Sequence, residues 1–363
     1  MVRGTALKAP ALRKGDRVRV VAPAGPFSRD LFEAGIQRLR DWGLEPVWAA
    51  DIFAKEGYLA GTDERRLREL HEALADKSSR AIFCARGGYG SMRLLSKFDL
   101  RRLRSGPKLV LGFSDNTALL WDLFRRSALC GIHGPMVASK QLTEIRPARE
   151  RWLRRLIFSA GAPGRVPSFR LRGRVGGRAA GFYYRGNLTL ITHLLAAGRA
   201  PRFDERLLVL EDVGESAYRI DRMLTTLRLA GVFDRAAGGR FRALLTVSTP
   251  PNTMPWQRIS RVVSRARSRR ERRSGHGREN VALPVGTRAV LDTHREPSNF
   301  WNLRYVEPRG NVWRPTPSRT MRFPAGNWLS PSETNRPSRV SARLRTISRT
   351  NLSMRRCSTI LRA

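Results

Sequence analysis

The chain has 363 residues, enough at roughly 150 per domain for two domains with substantial cores, which excludes a small disulfide-stapled fold. Hydrophobic residues make up 41% and charged residues 27%, and no apolar run approaches the roughly 18 residues of a membrane span. A net charge of +39 would ordinarily suggest a polyanionic partner, but its distribution argues otherwise. Residues 1–250 hold 45 Lys+Arg against 24 Asp+Glu, whereas residues 251–363 hold 24 against 6, so the net positive charge per residue doubles in the last third. Only seven basic residues are lysine, the last being Lys140. Selection for positive charge alone gives no reason to avoid lysine, so the arginine excess reads as GC-rich coding and no nucleic-acid partner is expected. The first residues contain no apolar h-region and no small-residue cleavage site, so we expect a cytoplasmic protein without a membrane partner. Cys84, Cys130 and Cys357 stand at unrelated spacings and are expected to be reduced.

Residues 17–22 alternate and then run apolar, predicting a strand that ends in the turn Pro23-Ala24-Gly25-Pro26. Ser28 is placed to cap a helix whose Leu31, Phe32, Ile36 and Leu39 recur at helical spacing, closed by Gly43 before a short strand at 46–49. Leu67, Leu70 and Leu74 predict a helix within 62–76, followed by a strand at 81–85 and a helix opening over 91–95. A strand at 108–112 and a helix at 118–124 complete an alternation that argues for a doubly wound α/β domain over residues 1–145. Residues 146–180, rich in Arg, Gly and Pro, read as a connector with one short helix-like stretch. A second domain over 181–293 offers a helix at 188–197, a strand at 207–210 and a helix at 220–229 closed by Gly231. From about residue 256 the periodicity fails: 261–273 is Ser/Arg low complexity, and 294–363 reads as a disordered tail. Between them, residues 275–293 regain an ordered pattern with a strand-like end.

Leu109-Val-Leu-Gly-Phe-Ser114-Asp-Asn-Thr stops a strand at Gly112 and passes almost at once into a helix. A serine at such a turn exposes its hydroxyl above the carboxyl edge of the sheet, where helix N-terminal amides can stabilise an oxyanion. The match to G-x-S-x-G is partial, because Asn116 replaces the second glycine, and a serine that only caps the next helix fits the same letters. Arg86-Gly-Gly-Tyr-Gly90 also follows a strand, and serves either as an anion-binding backbone loop or as a tight turn. It lacks the third glycine of a dinucleotide fingerprint. Glu211, Asp212 and Glu215 could orient a base, bind a cation or cap the helix that follows. His276, flanked by Gly275 and Gly277, is a loop imidazole able to exchange protons near neutral pH. No HExxH, CxxC or Walker pattern is present, so no metal ligand set is assigned.

Six blocks in collinear order resemble the LD-carboxypeptidases, a serine peptidase family that also contains the microcin-immunity proteins. They are RGGYG at 86–90, GFSDNTAL at 112–119, His133-Gly-Pro-Met136, Gly186-Asn187-Leu188, LEDVGESAYRIDRML at 210–224 and GHGRENVALPVG at 275–286. The resemblance implies a flavodoxin-like N-terminal domain followed by a smaller β-rich α/β domain, with a Ser–His–Glu triad at their junction. In it Ser114 is the nucleophile, His276 the base and then the acid, and Glu211 the carboxylate that orients the imidazole. The N–H groups of Asp115 and Gly88 would form the oxyanion hole, Arg86 and Asn187 would lie on the substrate side, and His133 would pack or face substrate. The implied reaction removes the terminal D-alanine of cytoplasmic murein tetrapeptide in peptidoglycan recycling, by a homodimer that needs no metal or organic cofactor. The alternatives are an immunity-type amidase acting on a peptide–nucleotide toxin, an inactive frame-shifted homologue and, in another class, a basic nucleic-acid-binding protein that uses the arginine-rich tail.

Two departures stand out. Arg185 occupies the place where the family commonly has a second glycine before Asn-Leu, a change expected to affect only a turn. Residues 245–274 and 294–363 lack family character on either side of the 275–293 island, and read as sequence brought in by shifts of reading frame. Resequencing the coding DNA checks this, since the alternative frames should then encode family-like segments.

Overall fold

In a computed structural model, the described residues are 6–172, 178–203, 206–235, 243–248, 280–292 and 300–305. All lie in a unit spanning Met1–Arg319, and the second unit, Thr320–Ala363, is outside the described residues. The four predicted strands, β1 (Arg17–Val21), β2 (Glu45–Val47), β3 (Ser79–Cys84) and β4 (Leu109–Gly112), and one that was not predicted, β5 (Gly131–His133), pair in parallel in the order β5-β4-β3-β1-β2. This is the flavodoxin-like order, and its direction of growth reverses between β1 and β3. The loops leaving β1 and β3 therefore flank the crevice in which doubly wound sheets bind ligands. They touch there, the Gly25 N–H donating to the Gly87 carbonyl at 2.9 Å.

Helices α1 (Arg29–Asp41), α2 (Asp63–Ala75), α3 (Ser91–Leu94) and α4 (Thr117–Ser127) connect these strands. Helix α1 buries Phe32, Gly35, Ile36 and Leu39, the face that its spacing predicts, and Thr62 caps α2 by accepting the Arg65 N–H at 3.1 Å. Helix α2 also fixes the exit of β1. Glu69 accepts the Ala22 N–H at 2.7 Å and two bonds from Arg65 at 3.0 and 3.1 Å, while Arg66 donates to the Pro23 carbonyl at 2.7 Å.

Burial pushes the Glu69 carboxyl up to about 7, against the lowering pull of Arg65 and the Ala22 N–H. A carboxyl whose native pKa exceeds its unfolded value favours the fold fully below about pH 4.5, and that contribution is lost as pH rises through about 7. Replacing Glu69 by Gln removes this titration. The variant's melting temperature should therefore change less than the parent's between pH 4.5 and 8, as calorimetry would show.

Short helix α5 (Lys140–Thr143) and α6 (Pro147–Phe158) lead to the strands β6 (Arg165–Arg172) and β7 (Arg178–Asn187). The segment read as a connector is thus largely regular structure. Pro147 opens α6, and Trp152, Leu153, Leu156 and Ile157 are buried on one face of a helix whose arginines mask its periodicity. Then come α7 (Leu188–Ala196), β8 (Arg206–Val213), α8 (Ala217–Leu229), α9 (Val232–Arg235), β9 (Ala243–Ser248), β10 (Leu283–Val285), β11 (Arg288–Asp292) and β12 (Phe300–Tyr305). A second, mixed sheet has the order β6-β12-β11-β7-β8-β9, parallel from β7 to β9 and antiparallel elsewhere. Strand β10 instead joins β5 of the first sheet, antiparallel, with Leu283 opposite His133.

Strand β12 corrects the reading of the tail. Residues 300–305, assigned to an unpatterned C-terminus, pair with both β11 and β6, and Tyr305 is buried. Strand β9 likewise carries the start of the 245–274 stretch into the sheet beside β8. Residues 249–279 and 306–363 lie outside the described residues. Arg185 is not in a turn: it lies within β7 and is 1% exposed.

Candidate active site

Ser114 sits where β4 gives way to a single 3-10 turn, Ser114–Asn116, that runs straight into α4. Its φ is +58°, a left-handed conformation that costs a non-glycine residue about 1–2 kcal/mol and marks a backbone held in place by its surroundings. Two neighbours do the holding. A methyl group added at Gly112 would stand 2.9 Å from Asn116 Cβ and 3.3 Å from Cys84 Sγ, so only glycine lets the turn close. Asn116, the residue that spoils the serine motif, donates from its amide to the carbonyls of Arg86 at 3.0 Å and Phe113 at 3.3 Å. It thereby binds the turn to the loop after β3. Beneath the turn, Cys84 is fully buried, and burial pushes its thiol far above the ordinary range, which leaves it a packing group and no rival nucleophile.

The 86–90 loop lies directly against the serine. A methyl group at Gly87 would be 2.9 Å from Ser114 Cβ and 3.3 Å from its Oγ, while Gly88 has φ +105° and faces Gly25. The backbone at Gly87 thus packs on Ser114 too closely to leave room for a side chain. Arg86 is exposed beside it. Asp115 is 2% exposed and accepts the Ser91 N–H at 2.8 Å through its carboxylate, and its carbonyl accepts the Ser91 hydroxyl at 2.6 Å. Burial moves the Asp115 carboxyl upward, opposed by the bonds from Ser91. Its side chain is accordingly the fastener between the serine turn and the start of α3.

Glu211 lies on β8, 2% exposed, opposite Asn187 on β7 and Thr246 on β9. The serine turn reaches this second sheet through Thr117. Its Oγ1 accepts the Asn187 N–H at 3.3 Å and lies 3.4 Å from His133 Nε2, and a methyl group at Gly186 would fall 2.3 Å from Thr117 Cγ2. Ser114 and Glu211 are therefore each one short link from the same Thr117–Asn187 contact. His276 lies outside the described residues.

Asn187, read as a substrate-side residue, is engaged at both ends of its amide. Oδ1 accepts the Leu190 N–H at 3.1 Å, capping α7, and Nδ2 donates to Asp212 at 3.0 Å, with the residue 5% exposed. Asp212 also accepts the N–H and hydroxyl of Thr189 at 2.9 and 2.8 Å, so the acid next to Glu211 is a structural clamp. His133 is fully buried with its ring edge-on to Phe113 at 4.8 Å, the packing half of its two expected roles. Gly87, Asn116 and Thr117 escaped the reading of the sequence as contributors to the site. For Asn116 and Thr117 the available signal was the run of short polar residues from Ser114 to Thr117 behind Gly112, which a turn this tight favours.

A doubly wound sheet with a strained serine at its carboxyl edge, clasped by a glycine loop, is an arrangement that serine-type hydrolases of α/β build use. Residues 18–134 match the LD-carboxypeptidase N-terminal domain and residues 180–291 the LD-carboxypeptidase C-terminal domain. A protein of Synechocystis sp. named as a carboxypeptidase is 37% identical over 290 residues, covering 77% of this chain and 93% of the relative. The murein tetrapeptide carboxypeptidase of Pseudomonas aeruginosa is 34% identical over 295 residues, covering 77% and 94%. The solved structure of an MccF-like protein from Bacillus anthracis shares the fold, with a TM-score of 0.70 at 20% identity over 83% of this chain and 99% of that one. The chain belongs to the LD-carboxypeptidase family, and by class it is a serine-type carboxypeptidase hydrolase.

Proposed function

We propose that the protein hydrolyses the L,D-peptide bond that releases terminal D-alanine from murein tetrapeptide, in the cytoplasm, as a step of peptidoglycan recycling. The observation that carries this reading is the left-handed Ser114 turn with the backbone of Gly87 packed on it. The name of the Pseudomonas relative supports the substrate. In the proposed chemistry His276 takes the Ser114 proton as Oγ attacks the scissile carbonyl, and Glu211 holds the imidazole and offsets its positive charge. The N–H groups of Asp115 and Gly88 receive the oxyanion. Collapse of the tetrahedral intermediate breaks the C–N bond, and the imidazolium gives its proton to the departing D-alanine amine. Water, deprotonated by the same imidazole, then frees the shortened peptide from Ser114. Arg86, exposed beside the turn, is suited to attract the terminal carboxylate of the substrate.

The experiment is a comparison of two substrates. Incubation with murein tetrapeptide should yield free D-alanine and tripeptide, while an aminoacyl-sulfamoyl nucleotide should remain intact. Cleavage of the nucleotide alone would move the assignment to the immunity-type amidases, a reading that the likeness to the MccF-like structure keeps in view.

The Gly87 contact makes its own prediction. Gly87 does not have a positive φ, so its backbone accepts alanine, and the new methyl would press on Ser114 instead. Gly87→Ala should lower kcat by about 10–100-fold, the scale set by small misplacements of a reacting group. The methyl also meets the Phe113 carbonyl at 3.2 Å, so some stability should be lost as well, and turnover corrected for the folded fraction found by thermal unfolding isolates the effect on kcat.

A further inference from the structure

Strand β7 carries a guanidinium that meets no acid among the described residues. Arg185 is 1% exposed and donates through Nη1 to the Val281 carbonyl at 2.8 Å, while Nε and Nη2 are buried and bond to nothing among the described residues. A buried cation without a counter-charge is among the costliest groups a fold can hold. Alternation along β7 puts Tyr183 on the same face as Arg185. The pairing of Ala289 with both Gly181 and Tyr305 puts Tyr305 on that face too. The two phenol rings meet edge to face at 5.6 Å, and both hydroxyls are buried without a partner among the described residues. The Arg185 charge reaches both phenols, opposing the upward push of burial on each. Ala289, Leu207 and Val209 on this face and Val281 beside it are 0–2% exposed and apolar.

We propose that Arg185, Tyr183 and Tyr305 enclose a binding site for one small monoanion of halide size. The donor set is a guanidinium edge and two hydroxyls on one buried face, each with hydrogen to give. Charge decides the valence: one negative charge neutralises Arg185, a dianion would leave a buried excess, and water would leave the cation uncompensated. Closure of the face decides the size, since residues this buried admit no peptide or nucleotide. The site is specific to a chain with arginine at this point of β7, and it is independent of the hydrolytic reaction.

Crystals of the full chain grown in sodium bromide test the proposal. An anomalous bromide peak is expected within hydrogen-bond reach of Arg185 Nε or Nη2 and of the two phenol oxygens. In solution, replacing gluconate by chloride at constant ionic strength should raise the parent's melting temperature saturably. Tyr305→Phe, which keeps the ring, should raise the half-saturating chloride concentration about fivefold, the loss of one hydrogen bond, and Arg185→Met should abolish the response. Density that fits only water, or a chloride response equal in the parent and the Tyr183→Phe/Tyr305→Phe double variant, would overturn the site whether or not Arg185→Met folds.

Discussion

Ser114→Ala is expected to lower D-alanine release from murein tetrapeptide by at least roughly a thousandfold, because members of a nucleophile–base–carboxylate unit fail together when one is removed. The proposed chemistry has no substitute for the missing oxygen. Cys84, the thiol below the turn, is fully buried and held neutral, and Asp115 is fastened to Ser91. The methyl of alanine fills the space of Ser114 Cβ, so the variant should keep its fold and still bind substrate. Alanine keeps the Cβ and with it the strain of the left-handed φ, so the variant is expected to melt close to the parent temperature. Turnover by the variant equal to the parent's would remove Ser114 from the mechanism.

Glu211→Gln is expected to have the second largest effect, a fall in kcat on the order of 10³–10⁴-fold. Glutamine keeps the shape of a side chain that is 2% exposed, but in the proposed triad it would carry no charge with which to offset the imidazolium and could present an N–H where an acceptor is needed. The loss should appear in kcat far more than in KM, because the charge it answers develops only as the proton moves. Asp212→Asn one residue along should behave differently. Asp212 clamps Asn187 and Thr189, so its variant should lose stability and retain chemistry in proportion to the folded fraction. Steady-state kinetics paired with thermal unfolding separates the two neighbours. Equal losses of kcat in both would mean that Glu211 acts only through the fold.

Much of the first sheet was legible because its strands are short apolar runs set off by helices with one buried face. The Leu67, Leu70 and Leu74 spacing and the Gly112 stop are local signals, and each falls where the structure has α2 and the end of β4. The second sheet was harder to read for a physical reason. Its strands β6, β7, β11 and β12 are antiparallel partners distant in sequence, and their arginines interrupt the alternation that a single strand would show. Nothing local says that Phe300–Tyr305 will sit between β6 and β11. Arg185 is the sharpest case: a charged residue next to Gly186 reads as a turn, yet pairing of β7 with β8 and β11 buries it. At the candidate site the spelling of the motif pointed to the serine of the turn, while the contacts of Asn116 and Thr117 reach segments more than 15 residues away and became visible only in three dimensions.

The central claim is that Ser114 forms a covalent bond to the substrate acyl group. A phosphonate mimic of the tetrapeptide, with phosphorus in place of the scissile carbonyl carbon and a leaving group on it, tests this by intact mass and peptide mapping of the full chain. One adduct per chain on Ser114 is the expected result, formed by the native protein and absent after thermal unfolding. Release of D-alanine from tetrapeptide by a protein that takes the label on another residue, or takes none, would contradict the account.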